Sequence, residues 1–392
     1  MRLDALEAAE SLRRAAPRMV MVHILDASIG LMANEPASLP QLRRGLDCAL
    51  ALEGGANERE RAHMAALGRW LARDFRGAAR LYSHLASLYP LDLLAHLVGH
   101  QAAFFTGRTR TLADTLGRAL AHWPADLPGR SFLVGQHAFG LEENGLHAEA
   151  EAAGRAAAEA EPEDVWAIHA VADVMEMQGR RAEGAAFLEG RSADWTGASM
   201  LRVHMDWHLA LFHLNRGNKP RALALSDAKL APGDALSALD LVDASAMLWR
   251  LHLRGVEVSA RAAVLADCSD RCLDHPRGTG HYVFNDLHAA LALAMAGRLA
   301  ALDQRIAELA ARAAEPDREA SVIAKVGLPL ARAVAAFAGR AMAEAADLIA
   351  ATLPDAVRAG GSHAQRAIWA ETLAAARART SPAPRAAGAA AG

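Results

Sequence analysis

The stretch Glu161-Pro162-Glu163-Asp164-Val-Trp166-Ala-Ile-His169-Ala-Val-Ala-Asp173-Val-Met-Glu176-Met-Gln-Gly179 decides the fold. A Pro-x-Asp opening, an apolar helical run and a closing glycine make one unit, and both ends of the unit recur along the chain. Closing glycines stand at Gly77, Gly107, Gly145, Gly179, Gly217, Gly255, Gly297 and Gly339, 30 to 42 residues apart. The opening recurs in step as Tyr89-Pro90-Leu91-Asp92 and Trp123-Pro124-Ala125-Asp126, at spacings of 34 and 38. Glycine supplies the left-handed residue that ends one helix, and Pro with a following Asp opens the next at its first turn. Periods of this size mean stacked helical hairpins. One hairpin cannot bury its own apolar faces, so the pairs must stack into a solenoid with an extended inner surface. The expectation is an all-α helical-hairpin solenoid wound as a right-handed superhelix, with no β-sheet.

Composition agrees. Ala and Leu dominate, and a hydrophobic fraction of 53% is enough for a large continuous core. A solenoid grows by repetition as one body, so residues 1–379 read as a single unit, followed by a disordered Ala/Gly/Pro tail over 380–392. The net charge of −3, with Arg interleaved among Glu and Asp, makes no electrostatic footprint for nucleic acid. Cys48, Cys268 and Cys272 are too few for a disulfide framework and lack the paired spacings of a zinc module, which points to a reducing, cytoplasmic setting. Met19 to Met32 is interrupted by His23 and Asp26 and reads as a buried amphipathic helix rather than a signal segment. No run of about 20 apolar residues is free of charges, so no membrane span is expected.

Several blocks carry a resemblance. Asp164 to Gly179, Val203-His-Met-Asp-Trp-His-Leu-Ala-Leu-Phe212, Leu239 to Leu251, Phe284-Asn-Asp-Leu-His288, Val326-Gly-Leu-Pro-Leu330 and Gly360-Gly-Ser-His-Ala-Gln-Arg366 occur in order. Together they resemble the tetratricopeptide repeat protein 38 family over roughly Arg18 to Ala376. The resemblance implies a tetratricopeptide-like solenoid and no particular reaction. It departs from the family pattern at Asp173, where a second His is expected, and at His363, where Asn is more usual.

The candidates for chemistry are histidines. His100, His137, His169, His208 and His288 lie 7 to 10 residues before the turn glycine of their own repeat. His23, His63, His100, His169, His204, His208 and His288 occupy family-like motif positions. The competing reading is a satisfied polar residue at a helix–helix contact. His204-x-x-x-His208 is sharper: a spacing of four puts both imidazoles on one helix face, the geometry of helical metal sites. The motif is not His-Glu-x-x-His, so it offers no general base at the metalloprotease position. Asp243 sits between Val242 and Ala244 in an apolar helix interior and needs a partner, either Arg250 or a facing His. Asp286 reads either as a pocket acid or as a first-turn acid favoured by the helix dipole. Gly360-Gly361-Ser362 reads as the cap of the helix that follows, and Trp166, Trp207 and Trp249 as buried between helix pairs.

Two functions of different classes follow. One is a binding protein whose concave surface holds a peptide, a partner segment or a small molecule, the common use of helical-repeat solenoids. The other is an enzyme or metal-binding protein with a central pocket drawn from His100, His169, His204, His208, Asp243, Asp286 and His288. No cofactor is required by the sequence; if a divalent metal is bound, His204 and His208 are the first-choice ligands, each needing an acceptor for its other ring nitrogen.

Overall fold

A computed structural model describes residues 3–195, 201–230, 237–273 and 278–380. The tail beyond 380 and the connector at 231–235 therefore lie outside the described residues. The described chain is an all-α helical-repeat solenoid without a β-strand among its described residues. Its helices are α1 (Leu3–Ala15), α2 (Val20–Ala33), α3 (Leu39–Ala51), α4 (Glu58–Leu71), α5 (Phe75–Leu88), α6 (Leu93–Phe105) and α7 (Thr109–Leu120). They continue as α8 (Arg130–Glu142), α9 (His147–Ala160), α10 (Val165–Met177), α11 (Arg181–Gly190), α12 (Arg202–Asn215), α13 (Lys219–Leu225) and α14 (Ala238–Leu253). The last are α15 (Ser259–Leu273), α16 (Val283–Met295), α17 (Leu299–Ala313), α18 (Ala320–Val322), α19 (Leu328–Ala338), α20 (Met342–Thr352) and α21 (His363–Thr380). One π-helical turn, Ile323–Gly327, joins α18 to α19 in a single run. That run is long and apolar enough by length and composition to cross a bilayer, but it carries Lys325 and Arg332 and packs on α16 and α17.

Helix caps follow the sequence reading only in part. Asn57 and Glu60 form a reciprocal capping box at α4, and Ser362 and Gln365 hydrogen-bond reciprocally ahead of α21. Asp92 and Asp164 are the N-caps of α6 and α10, accepting amides of their first turns. Each preceding proline therefore lies before the helix rather than inside its first turn. Asp126 caps nothing, because α8 begins after Gly129. Six of the eight turn glycines have positive φ, but Gly77 lies inside α5 and Gly339 has φ −75°. At those two turns Arg73 (φ 62°) and Arg340 (φ 64°) take the left-handed conformation. The helix only prefers glycine there, at a modest steric cost to other residues.

Packing sorts the helices into two layers. Successive contacts run α2, α6, α8, α10, α12, α14, α16, α19, and the intervening helices lie outside them. From Val203 to Leu214 every residue of α12 is buried, as is every residue of α14 from Leu241 to Leu251. A helix buried all round has no solvent face, so the polar residues it carries must find partners inside. The layer closes on itself. Ala238 N–H donates to Glu35 Oε2 at 2.9 Å, Arg73 pairs with Asp317 at 2.7 Å, and Asn285 Nδ2 donates to Asn34 O at 3.4 Å. Gly107 seals another seam: at φ 62° a Cβ there would lie 1.8 Å from Val357 O.

Helix α21 packs against α10, α14 and α20, so it occupies the inside of the curve. Trp249 Nε1 donates to Thr372 Oγ1 at 2.8 Å, and Arg250 reaches Glu371 at 2.9 Å and Ala364 O at 2.7 Å. Beside α21 the inner layer leaves a cavity of about 1130 Å³.

Candidate functional site: a buried histidine cluster

Two inner helices build the centre. His169 on α10 and His204 and His208 on α12 turn their Nε2 atoms toward one another: His169 to His204 is 3.0 Å, and His208 to His204 is 3.2 Å. All three are buried. Behind them, His204 Nδ1 donates to Asp243 of α14, at 2.9 Å to Oδ2 and 3.1 Å to Oδ1. Gln365 of α21 donates to the same Asp243 Oδ1 at 3.3 Å. With the Nδ1 proton committed to Asp243, Nε2 is the His204 nitrogen whose lone pair can bind a cation. Burial, followed by the neighbouring His204, holds both His169 and His208 well below the usual imidazole range, so these two rings are neutral.

Asp173, one turn after His169, completes the set. Its Oδ2 is 3.1 Å from His169 Nε2 and its Oδ1 is 3.6 Å from His208 Nε2. Neither oxygen has a hydrogen-bond partner, although the residue is only 1% exposed. Burial first, then Glu142, pushes the Asp173 carboxyl well above its ordinary range. Neutral imidazoles beside an acid whose burial favours its protonated form are weak ionic partners, so proximity alone does not make these contacts salt bridges. A divalent cation changes the balance: it attracts the Nε2 lone pairs and the carboxylate together. Ligand atoms of a tetrahedral cation with bonds of 2.0–2.1 Å are about 3.3 Å apart, close to the separations seen here. The Nδ1 atoms of His169 and His208 find no acceptor, so only His204 has the carboxylate support that orients a ligand.

Stacking fixes the ring orientations. Trp207 lies over His204 with centroids 5.2 Å apart and planes at 11°, and Arg250 Cζ sits 5.4 Å from the Trp207 ring centre. Arg250 is thus not the partner of Asp243. His169 and His204 line the cavity, whose wall includes Phe104, Phe139, Trp166 and Trp195. Trp207 and Trp249 are buried, whereas Trp166 is half-buried and faces this space.

The remaining candidates serve other purposes. His100 Nε2 hydrogen-bonds Gln136 O at 3.2 Å and packs edge-on against Phe139 and Trp166. His288 donates Nδ1–H to Phe284 O at 2.8 Å, one turn back on its own helix. His63 binds Asp92 at 2.9 Å, and His23 binds Pro17 O at 2.8 Å. Asp286 accepts Gly280 N–H on both oxygens, at 3.1 and 3.0 Å, and so fastens the loop before α16.

Asp286 gives a pH test. Burial pushes its carboxyl up to about 7, against about 3.9 unfolded. Between those values the folded chain holds a proton that the unfolded chain has lost, so this group makes stability fall as pH rises from about 4 to about 7, and flat above. Arg305 and Arg73 oppose the shift and Glu308 adds to it. Asp286→Asn should make the decline of the urea midpoint over this window shallower; an unchanged or steeper decline would refute the assignment. Asp164 and Glu319, also raised to about 7, keep the slope from vanishing.

Fold and cluster together define an all-α helical-repeat solenoid carrying a buried centre of three histidines and an adjacent carboxylate. No protein-family model matches the chain.

Proposed function

We propose that the chain is a metal-dependent protein that binds a small organic molecule, with His169, His204 and His208 holding one divalent cation beside Asp173. The observation that carries this reading is the convergence of the Nε2 atoms within 3.0 and 3.2 Å of each other, with Asp243 fixing the tautomer of the central ring. Imidazole donors with a carboxylate suit Zn²⁺ and its first-row neighbours. Such a cation supplies Lewis-acid polarisation of a ligand oxygen, or an activated water, at the end of an aromatic-walled cavity. A small molecule is favoured over a peptide because α21 already fills part of the concave side. The resemblance to the tetratricopeptide repeat protein 38 family is part of the same proposal and adds scaffold rather than chemistry.

The test is metal content and Zn²⁺ titration of protein purified without a histidine tag. A cation should be held at the cluster and lost in His208→Ala. Asp243→Asn should keep the cation but weaken its binding about 10–100-fold, because the amide supports the His204 tautomer less well. Wild-type protein with no His208-dependent cation, as purified or after titration, would overturn the reading.

A further inference from the structure

A second set of donors lies where α8 ends and α21 begins. Glu142 is fully buried, and neither carboxylate oxygen makes a hydrogen bond. Its Oε1 is 3.6 Å from His363 Nδ1, and Glu143 Oε1 is 3.7 Å from the same nitrogen. These distances are too long for hydrogen bonds, yet they suit ligands of one cation: bonds near 2.1 Å opened to about 120° place donor atoms about 3.6 Å apart. Glu143 is anchored from its other side. Its Oε1 accepts His363 N–H at 2.5 Å and its Oε2 accepts from Arg366 at 3.1 Å, which leaves further lone pairs on both oxygens. Glu143 is thus accounted for by docking α21, and Glu142 is not. A buried carboxylate without a donor is costly, and one imidazole beyond hydrogen-bonding range serves it poorly. The His363 side chain is 42% exposed, which gives an ion and its waters a way in.

We infer that Glu142, Glu143 and His363 form a second divalent-cation site, separate from the histidine cluster, that fastens the start of α21 to the end of α8. Two carboxylates and one imidazole match a borderline first-row cation such as Mn²⁺ or Zn²⁺, with water completing its shell. Its consequence is mechanical: the anchored turn carries Ser362 and Gln365, which line the cavity, and Gln365 is bonded to Asp243. The inference does not depend on the first centre, and the experiment separates them.

Untagged protein is loaded with Mn²⁺ or Zn²⁺, freed of excess, and its metal-to-chain ratio measured. Wild type should hold two cations, and Glu142→Gln and His363→Ala should each hold one, while His208→Ala keeps the one that Glu142→Gln loses. His363→Ala removes a half-exposed side chain and keeps the test valid if Glu142→Gln folds poorly. Hydrogen exchange should show the amides of residues 360–366 slower with cation than with chelator in wild type, and equal in His363→Ala. A single cation lost only in His208→Ala overturns this site and leaves the first standing. A single cation lost only in Glu142→Gln and His363→Ala overturns the first and upholds this one. No bound cation, or two retained in both variants, overturns it.

Discussion

Replacing His204 by Ala should lower cation affinity at the cluster by two to three orders of magnitude and remove most of the rise in unfolding temperature that a cation at the cluster gives the wild type. His204 is the ring whose Nε2 meets both other Nε2 atoms at 3.0 and 3.2 Å while its Nδ1 is hydrogen-bonded to a carboxylate. Binding energies of about 10–16 kcal/mol shared among four ligands give about 2.5–4 kcal/mol for each. The fold should survive, since His204 belongs to a layer whose packing rests mainly on its apolar neighbours. Wild type at a cation concentration 1,000 times the cluster's Kd should gain about 4 kcal/mol of stability from that site, of which the variant should keep only about 0.4–1.4 kcal/mol. Calorimetric titration and thermal unfolding, each with and without chelator, check this. A variant that still responds as wild type does would show that the imidazoles pair only with one another.

Trp207→Ala should destabilise the chain by about 3–5 kcal/mol, the usual cost of removing a buried aromatic. Trp207 is fully buried, stacks on His204, meets His208 edge-on at 4.8 Å and carries the Arg250 guanidinium on its face. Its removal would leave a void and free both rings to rotate, so cation affinity should fall alongside stability. Trp166→Ala is the control. That ring is half-buried against the cavity, so its loss should cost less and alter ligand binding more. Urea unfolding decides it: a loss below about 1 kcal/mol for Trp207→Ala would contradict its place in the core.

The glycine period was enough to read the hairpin architecture, because ending a helix is a local demand that a single residue meets. It misassigned Gly77 and Gly339 because Arg73 and Arg340 accept the left-handed turn at a cost that sequence does not display. At the site, the spacing of His204 and His208 and the lone acid Asp243 were legible. Each breaks an apolar pattern at a position where a partner is required. In sequence Asp173 stands out only as a departure from a family pattern, although His169-x-x-x-Asp173 repeats the spacing of His204-x-x-x-His208. Gln365 and Glu142 were invisible for another reason: their roles arise from α21 entering the curve, a contact between residues 122 and 220 or more positions apart. His288 shows the converse, since its recurrence at a repeat level ends in a bond to its own helix.

Helix α21 also sets an order of events during synthesis. A ribosome releases α10, α12 and α14 well before residue 363, so the imidazoles and Asp243 can meet while the concave side is still open to solvent. Only when the last described helix arrives does Gln365 reach Asp243 and the wall beside the cavity close. A cation or a bulky ligand therefore meets a wider approach to the cluster during translation than the cavity that remains once α21 is in place. Fusions to the C-terminal side would act on that last step, and fusions to the N-terminal side would leave it untouched.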